Sequence, residues 1–446
     1  MIKDQASLCK YLEKYHTGHA EFHQAVIAWY QDIADVYSAN ENYAKESLLE
    51  RLIEPDRIFR FRVTWRDDQG NARVNRGWRV QQNNALGPYK GGLRFDPSVN
   101  ESILKFLAFE QIFKNALTGL PMGGGKGGID VDPKNLSFSE KERVCQSFMN
   151  ELHRHIGEDT DVPAGDIGVG ATEVGLLYGQ YVKAAGKVTG SITGKGISFG
   201  GSLGRTEATG YGCVYFLKNI LEAHDIDIRN QRITVSGAGN VAIYAAEKAI
   251  QEGATVLTLS DSRGMLYCAH GFTLEEINAY KKVQAAGGRL TDFCQGKKDC
   301  EYFKGKKPWE VECDVALPCA TQNELDEDDA KMLVKNGIKA TSAGANMPLT
   351  NGANAVFNKA GVIVAPPKAA NAGGVAVSGL EMSQNAMHLH WSFEEVDRKL
   401  QNIMKDIHAS CTENIEKVNG IYPYKKGANI AAFKKLAQAV IALGVR

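Results

Sequence analysis

The sequence predicts an α/β fold in two domains, on three observations. The chain has 446 residues, too many for one ordinary hydrophobic core. From residue 232 onward, short apolar strands alternate with helical segments, the order that builds a parallel sheet with helices on both faces. In the first half, residues 58–82 read as strand, turn, strand.

Residues 1–55 carry apolar side chains at helical spacing, notably Phe22, Val26, Ile27, Trp29 and Tyr30. Arg60 to Trp65 alternates polar with apolar, Asp67 to Asn71 makes a turn, and Ala72 to Gln82 continues extended. Gly87 to Asp96 reads as a glycine-rich loop carrying Lys90 and Arg94. Ser102 to Leu117 reads as a helix, apolar almost all round and therefore buried. On it Gln111 and Lys114 lie three apart on one face. Lys114 pairs with Glu110, four residues earlier, or with a substrate carboxylate.

Pro121 to Gly128 surrounds Lys126 with five glycines. As a loop it is either mobile surface or an active site in which backbone and substrate approach closely. In the second case desolvation lowers the lysine pKa toward the range of a working base. It is not a phosphate-binding P-loop, because Gly127 follows the lysine where Ser or Thr is required. Asp159 to Gly170 is a further loop with three aspartates. Asp166 is either turn chemistry or a carboxylate partner for Lys126.

Arg232 to Ser236 is a strand. Gly237-Ala238-Gly239-Asn240-Val241-Ala242 follows, then a helix to about Glu252, then a strand from Ala254 ending at Asp261. Strand, GxGxxA, helix, strand and an acidic residue is the dinucleotide-binding fingerprint. Its glycines permit the tight turn and admit a pyrophosphate to the helix N-terminus. Three more short strands follow, at Asp314–Leu317, Ile338–Thr341 and Val362–Ala365. Gly287 to Trp309 reads as a polar, solvated excursion, and residues 392–446 are helical. Gly200 to Gly204 matches GxSxG, but the main sheet lies after it, which rejects a serine hydrolase.

Lys+Arg and Asp+Glu are both 52, giving a net charge of zero, which argues against nucleic-acid or membrane-surface binding. Nine scattered cysteines without a CxxC pair read as free thiols in a reducing compartment, with no zinc site. No apolar run is long enough for a membrane span, and the N-terminus lacks the apolar core of a secretory signal. A cytoplasmic protein without a bound metal is expected. Several lysines in glycine-rich surroundings suit a substrate with more than one carboxylate. A low-pKa lysine beside an aspartate suits proton transfer coupled to hydride transfer.

The stretches GPYKGGLRF (87–95), FEQIFKNALT (109–118), PMGGGKGG (121–128), DVPAGDIGVG (161–170), EATGYG (207–212), GAGNVA (237–242), LPCATQNEL (317–325), GANMP (344–348) and KAANAGGVAVSGLEM (368–382) resemble hexameric glutamate dehydrogenases, most closely the bacterial-type, NADP-linked branch. The resemblance implies reversible oxidative deamination of L-glutamate to 2-oxoglutarate and ammonia, and a homohexamer. It implies an N-terminal α/β substrate-binding and oligomerisation domain over 1–200. A Rossmann-type doubly wound dinucleotide-binding domain is implied over 201–425, with a C-terminal helix, 426–446, returning to the first.

By the same resemblance Lys126 is the catalytic lysine and Asp166 its acid/base partner. Lys90 and Ser378 bind the side-chain carboxylate, Gln111 and Lys114 hold the α-carboxylate end, and the backbone at Gly165 lines the pocket. Arg205, Thr209, Gly237, Gly239, Asn240, Val241 and Asn346 are the implied cofactor contacts, with Arg205 bordering the interdomain cleft. Asp261 suits the ribose 2′-OH of NAD, whereas Ser262, Arg263 and Arg289 suit the 2′-phosphate of NADP. The reading favours NADP, with NAD open. The rivals are an NAD-linked glutamate or other amino-acid dehydrogenase, and a non-catalytic dinucleotide sensor.

Overall fold

A computed structural model describes residues 2–295 and 299–445. They form two compact units. One comprises the residues up to 205 with 375–396 and 429 onward; the other comprises 206–374 and 397–428. The segment 375–396, which carries Ser378, thus packs with the first unit, although in chain order it follows the strands of the second.

The first unit is built on a five-stranded sheet. Its strands are β1 (Arg57–Arg66), β2 (Ala72–Asn83), β3 (Tyr89–Phe95), β4 (Gly124–Ile129) and β5 (Asp161–Gly165). The order across the sheet is β1-β2-β4-β3-β5. β1 and β2 form the expected antiparallel pair, with Asp67 closing the turn by accepting from the Gln69 and Asn71 amides.

Three segments expected as loops contribute strands instead. The glycine-rich stretch 87–96 is largely β3, the Lys126 stretch is largely β4, and 159–170 contains β5. The reason is steric. A Cβ on Gly125 would stand 2.9 Å from the Val80 carbonyl oxygen, and one on Gly127 would stand 2.7 Å from that of Trp78. One on Gly91 or Gly128 would overlap a neighbouring backbone carbonyl. Here glycine admits close neighbours to a sheet rather than freeing a loop.

The helix Glu101–Leu117, capped by Asn100 accepting from the Ile103 amide, covers one face. Its Ile112 meets Gly124, and Phe109 and Phe113 pack on Trp29 at ring separations of 5.3 and 4.7 Å. The helices Phe138–Leu152 and Ala171–Ala185 cover the other face, closing a core with Leu93, Phe95, Ile129 and Phe148.

The second unit holds a seven-stranded sheet, β12-β11-β10-β6-β7-β8-β9. Its strands are β6 (Arg232–Val235), β7 (Thr255–Asp261), β8 (Gly264–Cys268), β9 (Cys300–Lys304), β10 (Val315–Leu317), β11 (Ala340–Thr341) and β12 (Ile363–Val364). The five strands from β12 to β7 are parallel. Strand order reverses at β6, with β7 on one side and β10 on the other, the topological switch point at which such sheets bind ligands. This is the doubly wound arrangement expected.

The excursion 287–309 differs from expectation. Residues 296–298 lie outside the described residues. Around them Leu290–Cys294 is a short helix, and β9 joins the sheet antiparallel to β8. Cys268 and Cys300 sit opposite each other in that pair and form a disulfide. The free-thiol expectation therefore fails for these two, because strand register and not sequence spacing brings them together. The other seven cysteines are free.

The first sheet is cross-tied by a buried ion pair. Arg79 on β2 and Asp161 on β5 are both fully buried. Arg79 donates from Nε at 2.8 Å and from Nη2 to the two Asp161 oxygens, and Gln81 adds a bond at 3.0 Å. Removing one partner of such a pair leaves an uncompensated buried charge. Asp161→Ala is therefore expected to lower stability by about 3–5 kcal/mol, read as a shift of the guanidinium unfolding midpoint.

Candidate active site

Side chains on a strand alternate between faces, and the register of the first sheet fixes which residues share one. Val80 opposes Lys126 across β2 and β4. Leu93 aligns with Gly127 across β3 and β4, and Lys90 with Val162 across β3 and β5. Lys90, Gly92 and Arg94 of β3, Lys126 of β4, and Val162 and Ala164 of β5 therefore face one way. Asp166, just past the end of β5, continues that alternation.

On this face Lys126 Nζ lies 3.0 Å from Asp166 Oδ2, and Arg94 Nε donates to the same oxygen at 2.8 Å. Gly92 is required beneath them. A Cβ there would stand 2.8 Å from the Asp166 Cβ and 3.3 Å from Lys126 Nζ. Burial lowers the Lys126 pKa, Asp166 opposes that shift and Arg94 adds to it. For Asp166, burial acts upward, but the charges of Lys126 and Arg94 outweigh it and hold the carboxyl below its usual range. The pair is poised as a carboxylate beside a lysine that releases its proton more readily than a solvent lysine.

Lys90 is 1% exposed and donates to Thr193 Oγ1 at 2.7 Å. Burial and then Arg205 push its pKa well down. Lys114 is lowered to about 8 by burial and then by Lys126. Glu110, the helical neighbour offered as its partner, acts on it less than Lys126, Asp166 or Arg205. Gln111, on the same helix, donates to Asn115 at 2.8 Å. Gly165, the last residue of β5, aligns with Leu93 of β3.

Ser378 is 1% exposed and accepts from Arg205 Nε at 2.9 Å. Arg205 was expected with the cofactor contacts. It lies in the first unit, where its charge acts on both Lys90 and Lys114. The segment carrying Thr193 is anchored by Glu381, which pairs with Lys195 at 2.8 Å and accepts from the Gly194 amide at 2.9 Å. Sequence reasoning passed over Thr193 and gave Arg94 no role. Neither sits in a motif whose chemistry is visible without the fold.

In the second unit the fingerprint residues occupy the switch point. Gly237 has φ +89°, and a Cβ there would meet the Cys319 carbonyl oxygen at 3.1 Å. Gly239 precedes the helix Asn240–Gln251, with open space where its Cβ would be. The exposed Asn240 heads that helix, so its free amides face outward. Val241 packs where a Cβ on Gly344 would otherwise stand. Thr209 lies on the helix Ala208–Glu222, which reaches the fingerprint helix through Gly210, whose Cβ would meet the Val241 carbonyl oxygen at 2.6 Å. Asn346 is exposed and accepts from Asn371 at 2.7 Å.

A cavity of about 350 Å³ adjoins Asn240, lined by Tyr244, Lys281 and Gln284. Gln284 donates to the Ala238 carbonyl at 2.9 Å. Asp261 ends β7, beside exposed Ser262 and Arg263, and exposed Arg289 begins the helix Leu290–Cys294. These features fit a dinucleotide, with a helix N-terminus for its pyrophosphate and mixed charge near the ribose. Among the described residues no cluster of His, Cys, Asp and Glu could hold a metal.

Comparison with known proteins matches this geometry. The family described as "Glutamate/Leucine/Phenylalanine/Valine dehydrogenase" matches residues 200–444, and "Glu/Leu/Phe/Val dehydrogenase, dimerisation domain" matches 55–183. The chain is 52% identical to the NADP-specific glutamate dehydrogenase of Psychrobacter sp. (strain TAD1), covering 98% of this chain and 99% of that one. It is 51% identical to the NAD-specific glutamate dehydrogenase of Bacteroides fragilis, covering 97% and 98%. The crystal structure of Plasmodium falciparum glutamate dehydrogenase superposes with a TM-score of 0.96 at 49% identity, covering 99% and 95%.

The depressed pKa of Lys114 sets a pH dependence. A dicarboxylate seated on Lys114 would require its ammonium form, which is lost as pH rises through about 8. With Lys90 and Lys126 also displaced downward, the affinity for glutarate is expected to fall as pH rises, with a break near 8 contributed by Lys114. Competition titrations across pH 6–10 would show the break, and Lys114→Gln should remove it.

Proposed function

The chain belongs to the Glu/Leu/Phe/Val dehydrogenase family, and from that premise we propose that it is an NADP-linked glutamate dehydrogenase. It interconverts L-glutamate and 2-oxoglutarate with release or uptake of ammonia. The observation that carries the choice of substrate is the second cationic anchor. Lys90, bonded to Thr193, and Arg205, bonded to Ser378, are more than an apolar amino acid needs. They suit the side-chain carboxylate of glutamate, leaving Lys114 and Gln111 for the α-carboxylate.

Bound NADP(H) accepts or supplies the hydride at the substrate Cα. The chain's own residues do the rest. In the aminating direction the Lys126 ammonium polarises the oxo group, and Asp166 passes the protons that leave with water. In the deaminating direction Lys126 as a free amine takes a proton from the attacking water, and Asp166, 3.0 Å away, receives it onward. Burial makes both steps accessible near neutral pH, because it narrows the gap between the lysine and its partners. Thr209, Gly237, Gly239, Asn240, Val241 and Asn346 are assigned to the dinucleotide, and Asp261, Ser262, Arg263 and Arg289 to its ribose end. The intact Lys126–Asp166 pair favours an enzyme over a dinucleotide sensor, which has no use for it. NAD is the second cofactor candidate, supported by Asp261. Among the described residues no helix is long and apolar enough to cross a membrane. The proposal places the enzyme in the cytoplasm as a homohexamer, which light scattering reads as six chain masses.

Absorbance loss with 2-oxoglutarate and ammonium, comparing NADPH with NADH, tests the reading. No oxidation of either would sink it. Lys126→Ala is expected to lower kcat by at least about 10³-fold while NADPH binding is retained. Substantial residual turnover would remove Lys126 from the chemistry.

A further inference from the structure

Asp261 presents a conflict, since a carboxylate at this place accepts the ribose 2′-OH of NAD and repels a 2′-phosphate. Its setting resolves the conflict. The neighbouring Ser260 holds the glycine turn from both sides, its amide donating to the Gly237 carbonyl at 3.1 Å and its hydroxyl accepting from the Gly237 amide at 2.9 Å. Asp261 is thus one residue from the pyrophosphate turn. Its Oδ1 accepts from the Arg263 amide at 2.9 Å and from the Tyr302 hydroxyl at 2.7 Å. In the order β6-β7-β8-β9, both donors lie on the side of β7 away from β6 and the glycine turn.

The position of Tyr302 is well fixed. It sits on β9 opposite Leu266 of β8, two residues from the Cys268–Cys300 disulfide. The Tyr302 phenol is held protonated by burial and by Asp261, its pKa pushed up to about 12, so it donates at every physiological pH.

We propose that Tyr302 is a positioning residue that sets the choice between the two nicotinamide dinucleotides by holding the Asp261 carboxylate away from the ribose 2′ position. It rests on the dinucleotide-binding part of the function proposed above. With the phenol in place, one Asp261 oxygen is saturated and part of its charge is offset, and the 2′-phosphate meets Ser262 and Arg263. Without it the carboxylate turns freely, repels a 2′-phosphate and accepts from a 2′-OH.

The test is a set of dissociation constants for NADPH and NADH, read by nicotinamide fluorescence without substrate. The full-length proteins are wild type, Tyr302→Phe, Asp261→Asn and the double variant. Tyr302→Phe is expected to weaken NADPH by about tenfold and to leave NADH unchanged or tighter. In the Asp261→Asn background the same change should move the ratio by less than about twofold. An unchanged ratio, equal weakening of both dinucleotides, or the same shift with Asn at 261 would each overturn the proposal. Because no turnover enters these constants, they decide the tyrosine's role even if glutamate dehydrogenation fails.

Discussion

Arg79 reaches Asp161 by crossing two intervening strands, and the first unit depends on that crossing. β2 and β5 are separated by β4 and β3. An extended arginine spans this only if nothing stands on the face it crosses. Gly127 leaves room for its Cδ, Gly125 lies beside its Nη2, and the Gly91 carbonyl accepts from Nη1 at 3.1 Å. Any side chain at Gly125 or Gly127 would meet the guanidinium or its stem at 3.1–3.3 Å. The glycine content of β3 and β4 is therefore set on one face by a buried cation in transit. On the other face it is set by Gly92, which keeps the ground under Lys126 clear. One ion pair across the sheet and the Lys126–Asp166 pair above it share the same thin layer of backbone.

Because β4 is central, Lys126 enters the site from the most constrained strand of the sheet. Its backbone is fixed by β2 on one side and β3 on the other, so only its side chain is left to move. A lysine on a mobile loop would lose part of its desolvation whenever the loop opened, and with it the pKa shift. A strand keeps the amine buried throughout, which the proton-transfer role proposed for it would require.

This also explains what the sequence could and could not disclose. The residues of the candidate site were legible, since Lys90, Lys126 and Asp166 stand out as charges among glycines and Lys114 as a cation on a largely apolar helix. The elements carrying them were misread, because glycine runs signal loops unless the partner strands that need the space are known. Arg79 and Asp161 were invisible for the same reason. They lie 82 residues apart, and only the register joins them. In the second unit the fingerprint was legible because its chemistry is local, with strand, turn and helix contiguous. β8 and β9 were not, since their pairing closes across 32 residues of polar sequence. The bond from Arg205 to Ser378 was not legible either, since the two lie 173 residues apart.

The candidate substrate site carries an excess of positive charge that the protein alone does not neutralise. Asp166 faces Lys126, Arg94 and Lys114, while Glu381, already paired with Lys195 and the Gly194 amide, also acts on Lys90 and Arg205. The pKa values of the three lysines are all displaced downward with burial as the leading cause, and each of them feels another cation of the group. Bringing cations together out of water opposes folding. A dianionic ligand reverses both contributions at once, supplying counter-charge to every member and restoring the ammonium forms. The dicarboxylate affinity proposed for this site and the lowered pKa of Lys126 would thus be two consequences of one arrangement. Moving a cation away would ease the site, weaken the proposed grip on a second carboxylate and return Lys126 toward an ordinary lysine. The cluster holds its shape because Arg79 and Asp161 fix the strands beneath it and the glycines leave no slack between them.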